Sequence, residues 1–316
     1  MKPKALFVML ILWLSFTTIQ ARSTEDVPDK GTYAKFLLVG CYMKPDEEGV
    51  RMYRFDGQTA DVDYPCGLRG ISNPAFLTSD STGNRIYAIG DDEGKSSTAN
   101  ALLFDKESGL LSLLNSQSTD GELPIYITLS PKEYFVLTAN YKGGSITVFS
   151  QDKKGKLQRD TKIIRFAGNG PNKKRQEQSH LHCVTFTPDG KFLLATDLGT
   201  DCIYLFPIGK RPEAGKAHSL LDESRVVRIQ MDSGSGPRHI CFHPNGRFAY
   251  LISELSGKIT VFSYNEGKLE RLQTIVCDPF VAEGNADIHV SSDGKFLYAS
   301  KHLKEDGIIV YSIDSQ

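Results

Sequence analysis

Apolar and polar residues alternate along the chain in short segments separated by turn sequences, and the arrangement is repeated. Each copy has an apolar strand, a turn such as Pro-Asp-Gly, a second apolar strand, a polar break and a third strand rich in Ile, Val, Tyr and Phe. Asp-Gly and Asn-Gly between apolar runs are strong hairpin signals. The copies occupy residues 79–105, 130–150, 187–206, 243–264 and 291–313, and residues 34–56 form a further copy that lacks its first strand.

The length of the repeat predicts the architecture. The period is about 50 residues and no helical period follows the N-terminal segment, so we predict an all-β chain folded as a β-propeller of radially repeated four-stranded sheets. Six copies are evident, the first without its first strand and the last without its fourth. We expect a single propeller domain over residues 34–316.

The N-terminal segment has a different pattern. Met1–Arg22 combines a basic start, at Lys2 and Lys4, with an apolar run that is too short to span a bilayer comfortably. This combination is typical of a secretory signal peptide. We therefore predict a signal peptide over residues 1–21, a linker over residues 22–33, and a secreted or periplasmic protein that has no membrane association once the signal is removed.

Composition narrows the classes of function. The formal net charge of −1 and the pI near 6.7 argue against a nucleic-acid partner. The six cysteines form no CxxC pair and no metal-ligand spacing. We expect most of them to be buried free thiols, while one or two disulfides remain an alternative that is open to an exported protein. The oligomeric state is not predicted.

The repeat also indicates where a functional site lies. First and second strands of a blade are antiparallel, so the start of each first strand and the end of each second strand meet at one rim. This register places His182 and Arg238, at starts of first strands, near Glu254 and His302, at ends of second strands. The alternative is structural: His182 caps a strand, and Arg238 and Glu254 form an interblade salt bridge.

Several segments resemble the seven-bladed lactonase propellers, which include bacterial 6-phosphogluconolactonases of the propeller type and fungal carboxymuconate-lactonising enzymes. The segments that carry the resemblance are SNPAFL (72–77), ANYKGGSITVF (139–149), RQEQSHLHCVTFTPDGKFLLATDLGTD (175–201), GSGPRHICFHPNGRFAYLISEL (234–255) and SDGKFLYAS (292–300). The resemblance implies a propeller of the seven-bladed type whose C-terminal blade is missing or incomplete, since only six copies are evident.

The resemblance also implies roles for the rim residues. The family's His, Arg and Glu, which take part in lactone chemistry, match His182 in SHLHC, Arg238 in GPRH and Glu254 in SEL, and we expect these three to be catalytic. The family uses neither a metal nor another cofactor for this reaction, so we expect none here. Lys301-His302 stand where the family has Asn-Arg, so that a substrate-binding arginine is absent.

Four residues are candidates for binding substrate. Arg175 belongs to the family's Arg-Gln pair, and His180 lies two positions before His182 and is expected to face the same side. Lys301 and His302 are the remaining two. Tyr141 falls in what is interpreted as a tight turn of architectural importance. A solvated loop position remains an alternative for His180.

Three functions are consistent with these observations. The leading hypothesis is an exported lactonase that hydrolyses a small-molecule sugar lactone and resembles 6-phosphogluconolactonase. The alternatives are a cycloisomerase of the muconate type and a non-catalytic propeller that binds a glycan or a protein. Asp197 and Asp201, in the DLG-x-D segment, are interpreted as carboxylates that fix loops by accepting hydrogen bonds from backbone amides.

Overall fold

The chain forms antiparallel sheets and almost no helix, in a computed structural model that describes residues 34–93, 95–210, 212–277, 284–302 and 306–314. The predicted signal peptide and linker lie outside these residues. Within each sheet the strands follow one another in chain order. The prediction of an all-β propeller built from six repeat copies is confirmed, because six sheets are arranged as blades.

The six sheets comprise twenty-two strands in the described part of the chain. Sheet 1 contains β1 (Ala34–Gly40), β2 (Val50–Asp56) and β3 (Val62–Leu68); sheet 2 contains β4 (Leu77–Ser79), β5 (Arg85–Asp91), β6 (Ser97–Asp105) and β7 (Leu110–Ser118); sheet 3 contains β8 (Pro124–Leu129), β9 (Phe135–Asn140), β10 (Ser145–Gln151) and β11 (Leu157–Arg165). Sheet 4 contains β12 (Leu181–Phe186), β13 (Phe192–Asp197), β14 (Cys202–Pro207) and β15 (Val227–Gln230); sheet 5 contains β16 (Pro237–Phe242), β17 (Phe248–Ser253), β18 (Lys258–Asn265) and β19 (Lys268–Val276); sheet 6 contains β20 (Asn285–Val290), β21 (Phe296–Lys301) and β22 (Gly307–Ser312). Two short 3-10 turns, Ala217–Ser219 and Glu223–Arg225, interrupt the path from β14 to β15.

Successive sheets pack face to face through five separate hydrophobic clusters, one at each interface from sheet 1 to sheet 6. Strand alternation explains this arrangement, because neighbouring side chains of a strand point to opposite faces. In β13, Leu193 and Ala195 pack toward sheet 3, whereas Leu194 packs toward sheet 5. Both faces of such a strand are therefore apolar, as sheets buried on both sides require.

The face of sheet 6 that points away from sheet 5 is exposed, unlike the buried faces described above. Phe296, Tyr298, Ile308 and Val310 share that face by strand register, and all four side chains are exposed. Among the described residues, sheet 1 has no counterpart of the innermost strand of the other sheets, and sheet 6 has three strands. These features match the incomplete first and last copies of the repeat.

The six cysteines are all free thiols, which agrees with the prediction of mostly unpaired cysteines. Cys41, Cys183 and Cys202 are buried, and the other three are partly buried. In the part of the chain that is described, no helix is both long enough and apolar enough to cross a membrane.

Candidate active site

The inner strands of sheets 3 to 6 share an irregularity that shapes one rim of the propeller. Each strand has a β-bulge directly after its first residue, where the register with its partner strand shifts. A bulge leaves a residue outside the ladder and re-aims its side chain. In sheets 4 and 5 the bulged residues are His182 and Arg238. The same local geometry thus presents these two chemically active side chains from neighbouring blades.

The ends of the second strands lie at the same rim, beside the bulges of the inner strands. Tyr141, Leu198, Glu254 and His302 each directly follow such a strand. The backbone amide of each donates to a carbonyl just before the inner strand of its own sheet, with N···O distances of 2.7–2.9 Å. These hydrogen bonds fix the four positions against the bulges, so Glu254 faces Arg238.

Glu254 is the centre of the cluster. Its side chain is 5% exposed, and its two carboxylate oxygens accept from different arginines: Oε1 from Nη2 of Arg175 at 2.6 Å, and Oε2 from Nε of Arg238 at 3.1 Å. Burial alone would raise the pKa of Glu254, but the charges of Arg238 and Arg175 outweigh it and hold this pKa below its usual value. Glu254 is therefore an ionised carboxylate at neutral pH.

The expected interblade salt bridge between Arg238 and Glu254 is wrong in one respect. Both residues belong to sheet 5, where Pro237 pairs with Ser253, so their ion pair lies within a blade. The contact that joins blades is made by Arg175, from the loop that precedes β12 in sheet 4. Arg175 thus reaches across to the next blade.

His182 lies beside this ion-pair cluster. Its Nε2 is 3.9 Å from Oε2 of Glu254, too far for a hydrogen bond, and its buried Nδ1 has no hydrogen-bond partner among the described residues. Burial, followed by the charges of Arg238 and His239, lowers the pKa of His182 well below its usual value. The ring is therefore neutral at neutral pH and can accept a proton.

His180 and Tyr141 form an aromatic support for the cluster. The two rings are stacked with centroids 4.3 Å apart, and Tyr141 also meets the ring of His182 edge-on at 5.6 Å. Both ring nitrogens of His180 contact protein atoms, Nδ1 with the Tyr141 carbonyl at 3.0 Å and Nε2 with Glu177 at 3.2 Å. His180 is buried, so its interpretation as a solvated loop residue is wrong.

Tyr141 is a site residue that the sequence interpretation missed. Its hydroxyl lies 3.5 Å from Nη2 of Arg175, next to Glu254. The turn that follows it, at Gly143 and Gly144, is architectural as expected, but the tyrosine ring itself borders the cluster. The signal was available, because Tyr141 occupies the same repeat position as Glu254.

His302 approaches the cluster from sheet 6, directly after Lys301 at the end of β21. His302 is half-buried, and its pKa is lowered by burial first and then by Arg238, while Glu254 acts in the opposite direction. It therefore lies within electrostatic range of both groups. Lys301 is the last residue of β21 and is buried at the inner end of the sheet, opposite Asn285.

Two carboxylates hold the loops that carry the arginines. Asp197 is fully buried and accepts from the backbone amides of His180, Gly199 and Thr200, as well as from hydroxyl groups. Asp201 accepts from the side chain of Gln176 and from the amides that precede Arg238. The prediction that both aspartates fix loops is confirmed.

The contacts of the described residues engage two of the three guanidinium nitrogens of Arg238. Nε donates to Glu254, and Nη1 contacts the Ala286 carbonyl at 2.9 Å and Nε2 of His239 at 3.3 Å. No partner of Nη2 is found in the described part of the chain. A rigidly held donor next to a neutral imidazole is suited to an oxyanion or a carboxylate of a bound ligand. Within the described ranges, no group of three or more His, Cys, Asp or Glu side chains is positioned to share a metal ion.

The radial sheets and the polar cluster at one rim define a β-propeller with a candidate ligand site at that rim. A family profile described as "Lactonase, 7-bladed beta-propeller" matches residues 36–316, and the chain belongs to this family. The resemblance inferred from the sequence motifs is thereby confirmed.

One relative and two solved structures show what the chain is similar to. A 6-phosphogluconolactonase of Bacillus subtilis (strain 168) is 33% identical over 284 residues, which cover 87% of this chain and 77% of that protein. A solved structure from Bacteroides fragilis, provisionally described as a 6-phosphogluconolactonase, has a TM-score of 0.84 and 39% identity and covers 91% of this chain and 80% of that one. The periplasmic gluconolactonase of Pseudomonas aeruginosa has a TM-score of 0.77 and 29% identity, with coverage of 88% and 78%.

Proposed function

We propose that the protein hydrolyses a sugar lactone, with 6-phosphogluconolactone as the leading substrate. The observation that carries the proposal is the rim cluster: a neutral His182 and an ionised Glu254 lie beside Arg238, whose Nη2 has no partner among the described residues. Ester hydrolysis requires a base for the water, a donor for the oxyanion and an acid for the leaving oxygen. The names of two relatives support the phosphorylated lactone, and the name of a similar solved structure supports gluconolactone as the other substrate to test.

In the proposed mechanism His182 is the general base. A water within hydrogen-bond distance of both Nε2 of His182 and Oε2 of Glu254 fits the 3.9 Å separation of these atoms as a bent bridge. His182 takes a proton from this water as its oxygen attacks the lactone carbonyl. The imidazolium that forms lies next to the Glu254 carboxylate, which stabilises its charge.

Arg238 stabilises the tetrahedral intermediate. Its Nη2 donates to the oxyanion that develops from the lactone carbonyl oxygen, and its other two nitrogens are already held by protein atoms. When the intermediate collapses, the bond to the ring oxygen breaks and His182 returns its proton to that oxygen. The product is the open-chain hydroxy acid, and His182 is neutral again.

The charges at the rim favour an anionic substrate. Arg175 and Arg238 outnumber the carboxylate of Glu254, with which both form ion pairs. Arg175 is 38% exposed, so its guanidinium can turn from Glu254 toward a ligand phosphate. In this proposal Arg175, Lys301 and His302 contact substrate, whereas His180 positions Tyr141 by stacking against its ring.

The experiment compares ring opening of 6-phosphogluconolactone and gluconolactone with the spontaneous rate in the same buffer. We expect saturable acceleration and a lower KM for the phosphorylated lactone. We also expect loss of activity in Arg238→Lys, because lysine has a single nitrogen and cannot replace both Nε and Nη2 of the arginine. Arg247→Lys is the matched control, because Arg247 is exposed on a distant turn. Rates equal to the spontaneous reaction with both lactones would exclude the proposal.

We also propose that the protein is exported. The support is the signal-peptide pattern of residues 1–21, together with a relative that is a periplasmic gluconolactonase. Fractionation of cells that express the full chain, with N-terminal sequencing of the product, tests this. Export predicts a product that begins near residue 22; an intact N-terminus in the cytoplasm would contradict it.

A further inference from the structure

A second set of titratable groups lies next to Arg238, on the inner strands β16 and β20. It begins with His239, the residue that follows Arg238 in β16. His239 is buried in sheet 5, and its Nδ1 contacts Oδ1 of Asp287 in sheet 6 at 2.7 Å. The other oxygen of Asp287 contacts Nε2 of His289 at 2.9 Å. The opposite nitrogen of His239, Nε2, is 3.3 Å from Nη1 of Arg238. A continuous polar path therefore runs from His289 to the rim cluster.

The chemistry of the partners determines the protonation of His239. A guanidinium has only donors, so Nε2 of His239 must accept in its contact with Arg238. Its single proton then lies on Nδ1 and is donated to Asp287, whose Oδ1 also accepts from the Ile288 amide at 2.9 Å. A protonated His239 would instead present an N–H to the Arg238 guanidinium, and this contact would be lost.

The surroundings of His239 favour this neutral tautomer. Burial lowers its pKa, although Asp287 acts in the opposite direction. The titratable groups that face it from neighbouring elements are Tyr126 in β8, His182 in β12, and Asp287 and His289 in β20. Asp287 is the carboxylate among them, and its two histidine partners outweigh its burial and keep its pKa low. The negative charge in this path thus remains on Asp287.

We propose that His239 is a positioning residue for lactone hydrolysis, held by Asp287 in the tautomer that accepts a hydrogen bond from Arg238. This role rests on the proposed function of Arg238. The guanidinium is then clamped on three sides, by Glu254, by the Ala286 carbonyl and by His239. With Nε and Nη1 engaged, Nη2 is aimed at the oxyanion without a search among rotamers.

Two variants of His239 separate this role from a merely structural one. In His239→Gln, the longer side chain places its amide near the former Nε2, where the oxygen can accept from Arg238, but the contact with Asp287 is lost. In His239→Asn, the amide nitrogen lies near the former Nδ1 and can donate to Asp287, but Arg238 loses its acceptor. We expect kcat to fall about 100-fold in His239→Asn, the cost of a misplaced catalytic group, and KM to change little.

His239→Gln is expected to retain most of the kcat, and urea unfolding of both variants reports their stability. Equal activities of the two variants, or a more active His239→Asn, would overturn the proposal and indicate that His239 only joins sheets 5 and 6. A wild-type protein without lactonase activity would refute the proposed function instead.

The tautomer is tested separately from turnover. Long-range ¹H–¹⁵N spectra of the histidine rings in the full-length protein, assigned by comparison with His239→Gln, report which ring nitrogen carries the proton. We expect neutral His239 with its proton on Nδ1 at pH 7. A proton on Nε2, or a doubly protonated ring, would overturn the proposal even in an active enzyme, because neither form accepts from Arg238.

Discussion

Replacement of Glu254 by glutamine removes one charge from the centre of the rim cluster and leaves its shape almost unchanged. The glutamine oxygen can replace Oε2 and still accept from Nε of Arg238, which is 13% exposed. The amide nitrogen then faces Nη2 of Arg175, where two donors repel each other. Arg175 is 38% exposed and can turn to solvent, so we expect the variant to fold.

The effect on stability follows from the two contacts. Loss of the partly exposed bond to Arg175 costs about 1 kcal/mol, because solvent screens it. Exchange of a charge-assisted bond for a neutral one at Arg238 costs about 1 kcal/mol more. We therefore expect the free energy of unfolding to fall by about 2 kcal/mol, a fraction of the stability of a domain of this size.

The effect on catalysis is larger. In the proposed mechanism the His182 imidazolium forms 3.9 Å from Oε2 of Glu254. At this separation and an effective dielectric constant near 20, two unit charges interact by about 4 kcal/mol. Removing most of that interaction from the transition state predicts a decrease in kcat of roughly 100- to 1,000-fold.

Steady-state hydrolysis of 6-phosphogluconolactone and urea titration measure the two effects in the same preparations. Glu270→Gln is the control, since Glu270 is exposed on the outer strand β19 and its side chain pairs with that of Lys268. A kcat of Glu254→Gln close to that of the control would refute the proposed role of Glu254 in catalysis. Unfolding of the variant to an extent that accounts for its lost activity would refute it too.

Three further predictions concern the support of the site. Tyr141→Phe should retain kcat/KM within about threefold, whereas Tyr141→Leu should lose about tenfold, since the stacked ring contributes more than the 3.5 Å hydroxyl contact; steady-state kinetics of both variants decide this. The free energy of unfolding should fall as pH drops below about 6.5, the unfolded-state pKa of histidine. The pKa values of His182 and His239 are lowered in the folded chain, so the unfolded chain binds protons that the folded chain does not. In urea titrations from pH 7 to 5, the free energy of unfolding should depend less steeply on pH in His182→Gln. Gly199→Ala should lower stability by about 1–3 kcal/mol and reduce activity, because its Cβ would clash with the Gln178 carbonyl oxygen, in the loop that carries Arg175. Gly57→Ala, whose Cβ meets nothing within 4 Å, should change neither.

The fold was predictable because the sequence signals for its turns and strands are local and recur in each copy of the repeat. Asp-Gly and Asn-Gly turns between alternating apolar runs define hairpins, and a hairpin copied at a constant period defines blades. The rim residues His182, Arg238 and Glu254 followed from the same register, without knowledge of the side-chain contacts. Their ion pair could have been assigned to one blade, since Pro237 and Ser253 pair across adjacent strands.

The remaining features depend on contacts between distant parts of the chain. His239 and Asp287 are 48 residues apart, and no local pattern joins them. Arg175 reaches Glu254 from 79 residues away, through a loop without a periodic pattern. The sequence pattern places Tyr141 in a tight turn, because Gly143 and Gly144 follow it after one intervening residue. Its equivalence to Glu254 in the repeat becomes informative only when Glu254 is known to face the cluster.

The central claim is that His182 is the base that activates water for lactone hydrolysis. The most direct test is kcat/KM for 6-phosphogluconolactone in His182→Gln, measured beside His218→Gln, which changes an exposed histidine outside the site. A lost general base predicts a decrease of roughly 100- to 10,000-fold in His182→Gln, and wild-type activity in His218→Gln. Comparable activity of both variants would contradict the account.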